Sequence, residues 1–235
     1  MVPSLPSGRH DHRLKPLRGQ RAGTLVVHEV YRSLQGESTF AGLPCVFVRL
    51  TACHLRCSYC DTPHAFHEGT TRTLDELLTI VLAFEDELVE ITGGEPLLQA
   101  DVLPLMTRLA DAGRTVLLET SGGLDVAPVD SRVHIILDLK TPGSGEEPAT
   151  LWSNLEHVKP TDEVKIVVCD REDFDWAVAV VRQHDLTARC SVLVSPAHGE
   201  LPPAELASWV LASGMPLRLQ LQLHKLLWGP ETRGV

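Results

Sequence analysis

Cys53, Cys57 and Cys60 stand as Cys-x3-Cys-x2-Cys within eight residues of a chain of 235 residues. Three thiolates on a short irregular loop can wrap one face of a metal centre. A structural zinc site wants four closed ligands, and a cubane iron–sulfur cluster usually takes four cysteines. With three, one iron stays open to bind something else, which is what a chemically active cluster requires. Zinc held by the three cysteines plus His54 or His64 is the competing reading. His54 adjoins Cys53 and would point elsewhere, whereas His64 is geometrically possible. The other cysteines, Cys45, Cys169 and Cys190, go with predicted strands and read as small apolar residues.

The elements that must position this loop alternate. Strands are predicted over 24–31, 44–50, 88–92, 115–119, 133–139, 162–168, 188–194 and 217–223. Helices are predicted over 73–85, 100–112, 173–184 and 203–213, with Thr73 as an N-cap and Gly113 as a C-cap. Thr51–Phe66 has no usable period and reads as a long functional loop. Short βα repeats imply a parallel sheet. Polar residues cluster just past the strand C-termini, the edge where α/β folds bind ligands. Gly143–Ala149 reads as a flexible loop within a single domain over 24–235.

Charge and composition narrow the class. The formal net charge is −10, which argues against nonspecific nucleic-acid binding. Arg9, Arg13, Lys15, Arg18 and Arg21 against Asp11 make residues 1–23 a basic arm, expected to be flexible. No apolar run is long enough for a membrane span, and no export signal opens the chain. A cytoplasmic protein with reduced cysteines is expected.

Cys-x3-Cys-x2-Cys with Tyr59 before its last cysteine resembles the motif of radical S-adenosylmethionine (SAM) enzymes. Thr92-Gly93-Gly94-Glu95-Pro96, at a predicted strand end, is similar to that family's Gly-Gly-Glu-Pro segment. The resemblance implies a partial TIM-type βα barrel with parallel strands, a [4Fe-4S] cluster and SAM. It also implies hydrogen abstraction from the substrate by a 5′-deoxyadenosyl radical.

Glu29–Gly42, Val46–Leu50 and Cys60-Asp61-Thr62 resemble the 7-carboxy-7-deazaguanine synthases, which contract the ring of 6-carboxy-5,6,7,8-tetrahydropterin with loss of ammonia in the route to queuosine. By that resemblance Leu34, Gln35 and Gly36 grip the pterin, and Arg49 clamps its carboxylate. Thr92, Glu119 and His224 contact substrate, and Thr62 ligates Mg²⁺. Gly94, Glu95, Ser121, Asp138, Leu139, Lys140, Ser195 and Pro196 serve SAM, with Glu95 taking the methionine ammonium. Gln222, His224 and Lys225 match a closing Gln-x-His-Lys. Glu231–Val235 extend past Pro230, where some relatives end on a carboxylate that reaches the substrate. A homodimer and a flavodoxin- or ferredoxin-type reductant are further implications. The alternatives are a radical activase acting on a glycine of a partner protein and a zinc-stabilised binding module.

Overall fold

The computed structural model describes residues 12–235. Nine strands form one sheet: β1 (Thr24–Leu34), β2 (Pro44–Leu50), β3 (Thr70–Thr73), β4 (Leu88–Gly93), β5 (Thr115–Thr120), β6 (His134–Asp138), β7 (Glu163–Val168), β8 (Ser191–Pro196) and β9 (Arg218–Leu219). Five α-helices accompany them: α1 (Leu74–Leu82), α2 (Val102–Asp111), α3 (Arg171–Gln183), α4 (Pro203–Ser213) and α5 (Leu223–Trp228). The strand order is β3-β1-β2-β4-β5-β6-β7-β8-β9. From β2 to β9 every pairing is parallel. The sheet ends on β3 and β9 without closing, so the barrel is partial.

The parallel expectation holds for this body but not for its first edge. There β1 runs antiparallel to both β2 and β3. The β1–β2 connection is short enough for a hairpin, and a parallel pairing would need a crossover. At the other end Leu217–Leu223 shrinks to the two residues of β9, and α5 begins at Leu223.

Local chemistry fixes the helices. Thr73 accepts from Glu76 N–H while the Glu76 carboxylate takes Thr73 N–H, a reciprocal cap on α1. Asp170 caps α3 through Asp173 N–H at 2.9 Å. Leu77, Leu105, Leu109, Phe174, Val181 and Leu206 pack against the outer face of the sheet, the main core. Inside the barrel a smaller cluster of Cys45, Phe47, Leu88, Leu117 and Ile136 forms an apolar floor.

Two segments expected to be mobile are packed. Within the described half of the N-terminal arm, Leu17 is buried in the core and Arg13 Nη1 donates to His54 O at 2.6 Å. Residues 1–11 lie outside the described residues. Gly143–Ala149 forms two 3₁₀ turns, and Gly143 N–H donates to Asp173 at 2.8 Å.

Candidate functional site

Side chains alternate along a strand. Glu90 and Thr92 on β4, Glu119 on β5, Asp138 on β6, Lys165 on β7 and Ser195 on β8 therefore turn inward, while their neighbours join the outer core. Together they line a cavity of about 330 Å³ at the strand C-termini, a volume within the range of small-molecule sites.

The cysteine loop roofs one side of this cavity. It leaves β2 through Ala52, held at φ 78° in the left-handed region, where a Cβ costs about 1–2 kcal/mol. Ala52 N–H donates to Ala65 O at 2.9 Å, and its carbonyl accepts Glu95 N–H at 2.8 Å. The Arg56 guanidinium lies 3.9 Å over the Phe66 ring and donates to Cys53 O at 2.8 Å. The 142–149 turns hold the far side: Ser58 N–H donates to Ser144 O at 3.0 Å and Arg56 N–H to Glu146 at 2.6 Å. Cys53, Cys57 and Cys60 all face the cavity, backed by Leu55 and Phe66.

Burial pushes the Cys53 thiol up to about 12 and raises Cys57 as well. A bound metal would displace those protons. Among the described residues the metal-ligating atoms gathered within 4.8 Å of one another belong to His28, Glu29 and His64. The three cysteine thiols are not in that set; three thiols would leave one iron of a cubane cluster open, where a structural zinc wants a fourth closed ligand. The thiol trio, an adjoining glycine cradle and free acceptors on the facing wall fit a [4Fe-4S] cluster with SAM.

The cradle is Gly93-Gly94. A Cβ on Gly94 would stand 2.2 Å from Ala52 O, and one on Gly93 2.3 Å from Leu50 O. Only glycine lets β4 end this close to the loop. Opposite it, Lys140 Nζ pairs with Asp138 Oδ2 at 2.7 Å and lies 5.7 Å from the Tyr59 ring centroid. Among the described residues Asp138 Oδ1 and Tyr59 Oη are buried without a hydrogen-bond partner, and such groups carry a desolvation cost that a polar ligand can relieve.

Two residues expected to serve SAM do not reach the cavity. Glu95 is fully buried, and its carboxylate collects Leu97 N–H, Thr120 Oγ1, and both the N–H and Oγ of Ser121. With those donors satisfying it, Glu95 fixes the Thr120-Ser121 rim and has no free lone pair pointed at a ligand. Leu139, on the alternate face of its strand end, lies in the outer core. Ser121, Ser195, Pro196 and Gly94 line the cavity.

Leu34, Gln35, Gly36, Arg49, Thr62, Thr92, Glu119 and His224 also line the cavity. The β1–β2 register sets Glu29 opposite Arg49. Arg49 Nε donates to Glu29 at 2.8 Å and Nη2 to Tyr31 Oη at 2.9 Å, so two of its donors are spent on the protein. Gln35 is spent further: Nε2 donates to Glu90, and Oε1 accepts Glu37 N–H at 3.0 Å. The Thr62 hydroxyl caps nothing and stands 4.0 Å from Cys60 Sγ. Gly36 packs on His224, where a Cβ would meet Nδ1 at 2.8 Å. Burial lowers the pKa of His224.

Sequence reading missed a layer of charge. Lys165 Nζ lies 2.5 Å from Glu37 and 2.6 Å from Glu119. Burial alone would raise Glu119, but the Lys165 ammonium and its hydrogen bond hold it low. Lys225 Nζ lies 2.9 Å from Asp61, which also accepts from Gln222 at 3.0 Å. These partners outweigh burial and keep Asp61 well below the usual carboxylate range. The extension past Pro230 also folds back: Glu231–Val235 line the same cavity. Lys165 was hidden in a strand that read as an apolar run. The tail carried no period at all.

The comparisons agree with this geometry. The radical SAM superfamily model matches residues 48–182. The 7-carboxy-7-deazaguanine synthase of Chlorobaculum tepidum is 45% identical over 214 residues, covering 90% of this chain and 97% of the relative. That of Koribacter versatilis is also 45% identical, covering 89% and 99%. Among solved structures, QueE from Escherichia coli superimposes with a TM-score of 0.70 at 23% identity, covering 85% of this chain and 94% of that one. SuiB from Streptococcus suis gives 0.54 at 15% identity, covering 73% and 47%; these two likenesses speak to the partial barrel alone. With relatives of this identity matched almost end to end, the chain belongs to the radical SAM superfamily and, within it, to the 7-carboxy-7-deazaguanine synthase family.

Proposed function

We propose that this protein converts 6-carboxy-5,6,7,8-tetrahydropterin to 7-carboxy-7-deazaguanine with loss of ammonia, a radical SAM lyase reaction of deazapurine biosynthesis. One observation carries the reading. The cysteine trio and the Gly93-Gly94 cradle open into the same cavity as Arg49, Thr62 and the Glu37–Lys165–Glu119 layer. Cofactor and substrate would therefore meet in one enclosed space.

The residues divide the work. Cys53, Cys57 and Cys60 would hold the [4Fe-4S] cluster, which with SAM supplies the radical that abstracts a substrate hydrogen. Asp138, Ser121 and Ser195 present polar groups toward the nucleoside, and Lys140 keeps the Asp138 carboxylate in place. Arg49 offers its remaining guanidinium donors to the substrate carboxylate. Thr62, with its hydroxyl free of capping, would ligate Mg²⁺, an ion that prefers oxygen and few protein ligands. His224, with its pKa lowered by burial, is neutral near pH 7 and can accept or donate one hydrogen bond to the substrate. The apolar floor and the folded-back tail restrict water around the reacting atoms.

The family assignment favours this chemistry over a zinc-stabilised module. A glycyl-radical activase would have no use for a buried carboxylate clamp such as Arg49. No helix among the described residues is long and apolar enough to cross a membrane. The reading extends to a homodimer, which the exposed Leu226, Leu227 and Trp228 of α5 support, and to a flavodoxin- or ferredoxin-type reductant.

The test is anaerobic incubation of reduced, cluster-loaded protein with SAM, Mg²⁺ and the carboxytetrahydropterin. Formation of 7-carboxy-7-deazaguanine is expected. SAM cleavage without that product would overturn the substrate assignment.

A further inference from the structure

Glu90 is the odd carboxyl of the cavity. Glu29 pairs with Arg49, Glu37 and Glu119 with Lys165, Asp61 with Lys225, and Asp138 with Lys140. Among the described residues Glu90 lines the same space without an ion-pair partner, and the charge of Lys165 reaches it from a distance. Its hydrogen-bond partner among the described residues is a neutral amide, Gln35 Nε2.

That partner is itself immobilised. Gln35 Oε1 accepts Glu37 N–H at 3.0 Å. Its backbone N–H donates to Leu43 O and its carbonyl accepts Gly42 N–H, both at 2.8 Å. Gln35 is thus a bracket, with little left to offer a ligand. The group it aims is Glu90, on β4 directly below Thr92 on the inward face. Beside it the stacked Tyr31 and Phe47 rings, centroids 5.0 Å apart, give a flat apolar surface.

A carboxyl without a cation costs free energy in such a place unless hydrogen-bond donors reach it. Burial by itself favours the protonated carboxyl; two adjacent N–H donors on a ligand edge would meet both oxygens and favour the ionised form. We propose that Glu90 is a specificity residue that reads the ring N–H and exocyclic amino group of the 2-aminopyrimidinone edge, with Gln35 as its positioning residue. This inference rests on the pterin reading above and names the side chain that would enforce it.

The probes are two stable analogues, pterin-6-carboxylate and lumazine-6-carboxylate. In the second, an oxo group replaces the exocyclic amine. Affinities for the cluster-loaded, SAM-bound protein are measured by calorimetry, with iron content and melting temperature verifying that each variant is folded. Wild type is expected to prefer the pterin by roughly ten- to a hundredfold, the scale of hydrogen bonds to a charged group. Glu90→Gln should erase that preference, because its amide donates where the ligand also donates. Glu90→Asp, which keeps two acceptor oxygens, should retain part of it. A preference that survives Glu90→Gln, or a wild type that binds both analogues equally while still forming the deazapurine product, overturns the Glu90 assignment alone. A wild type that binds neither analogue and makes no product overturns the pterin reading together with it.

Discussion

Lys140 Nζ sits 2.7 Å from Asp138 Oδ2 while Oδ1 of the same carboxylate is buried without a partner. One oxygen is thereby anchored and the other is left unsatisfied at the cavity wall. Replacing Asp138 by Asn keeps the shape but leaves Lys140 as a buried cation without its counter-charge. Removing one member of a buried pair costs about 3–5 kcal/mol. Asp138→Asn should therefore melt at lower temperature and bind SAM at least about tenfold more weakly. Calorimetric titration with SAM and a thermal melt would show this. Unchanged SAM affinity would remove Asp138 from the cofactor wall.

Gly94→Ala is expected to sever the cysteine loop from the sheet. Its Cβ would stand 2.2 Å from Ala52 O and 2.8 Å from Cys53 Cβ, so backbone must move. Gly113→Ala is the matched control. There φ is +82° but nothing lies within 4 Å of the added carbon, so only a left-handed strain of about 1–2 kcal/mol applies. Iron per chain after anaerobic reconstitution should collapse in the first variant and stay near wild type in the second.

Thr62→Ala removes a hydroxyl that caps nothing. Stability should change by no more than about 0.5 kcal/mol, and cluster absorbance should persist. The Mg²⁺ dependence of turnover should flatten. An identical Mg²⁺ titration curve in the variant would dismiss Thr62 as the ion's ligand.

Burial raises Glu90 well above its ordinary 4.5, and Glu119 and Glu37 push in the same direction against Gln35 and Lys165. The folded state thus holds a proton that the unfolded chain releases near pH 4.5. Stability from this group falls as pH climbs from about 4.5 toward the raised value. Glu90→Gln lacks that proton, so its melting temperature relative to wild type should rise between pH 5 and pH 8. A difference that stays constant with pH would show that Glu90 ionises normally.

Much of the scaffold could be read from pattern. The runs that became β4 to β8 announced themselves through β-branched and apolar residues, and Thr73 announced the start of α1. The short β3 did not. Thr70–Thr73 is polar and largely exposed, and it is a strand only because β1 offers it a partner. Helix α5 was masked because Leu-His-Lys-Leu-Leu-Trp continues a strand-like alternation from Leu217. The cysteines could be singled out because their spacing carries their chemistry, and Arg49 and the glycines through the family resemblance. Glu90 and Lys165 could not, because a charged residue inside an apolar run is legible only when the barrel shows which way it faces. Glu95 misled for the converse reason. A carboxylate beside two glycines suits an ammonium in sequence, yet four protein donors reach it first.

The residues before β1 brace the cysteine loop. Arg13 donates to His54 O inside the cysteine loop and lies 3.6 Å from Glu146, whose carboxylate also receives Arg56 N–H. Gln20 reaches Gln99, which in turn bonds Val26 and Thr51 at the foot of that loop. This leading stretch works as a buckle fastened from outside the barrel. A cluster-loaded protein trimmed to begin at Thr24 would keep Cys53, Cys57 and Cys60 on a slacker loop, and its visible absorbance should bleach faster in air than that of the untrimmed chain.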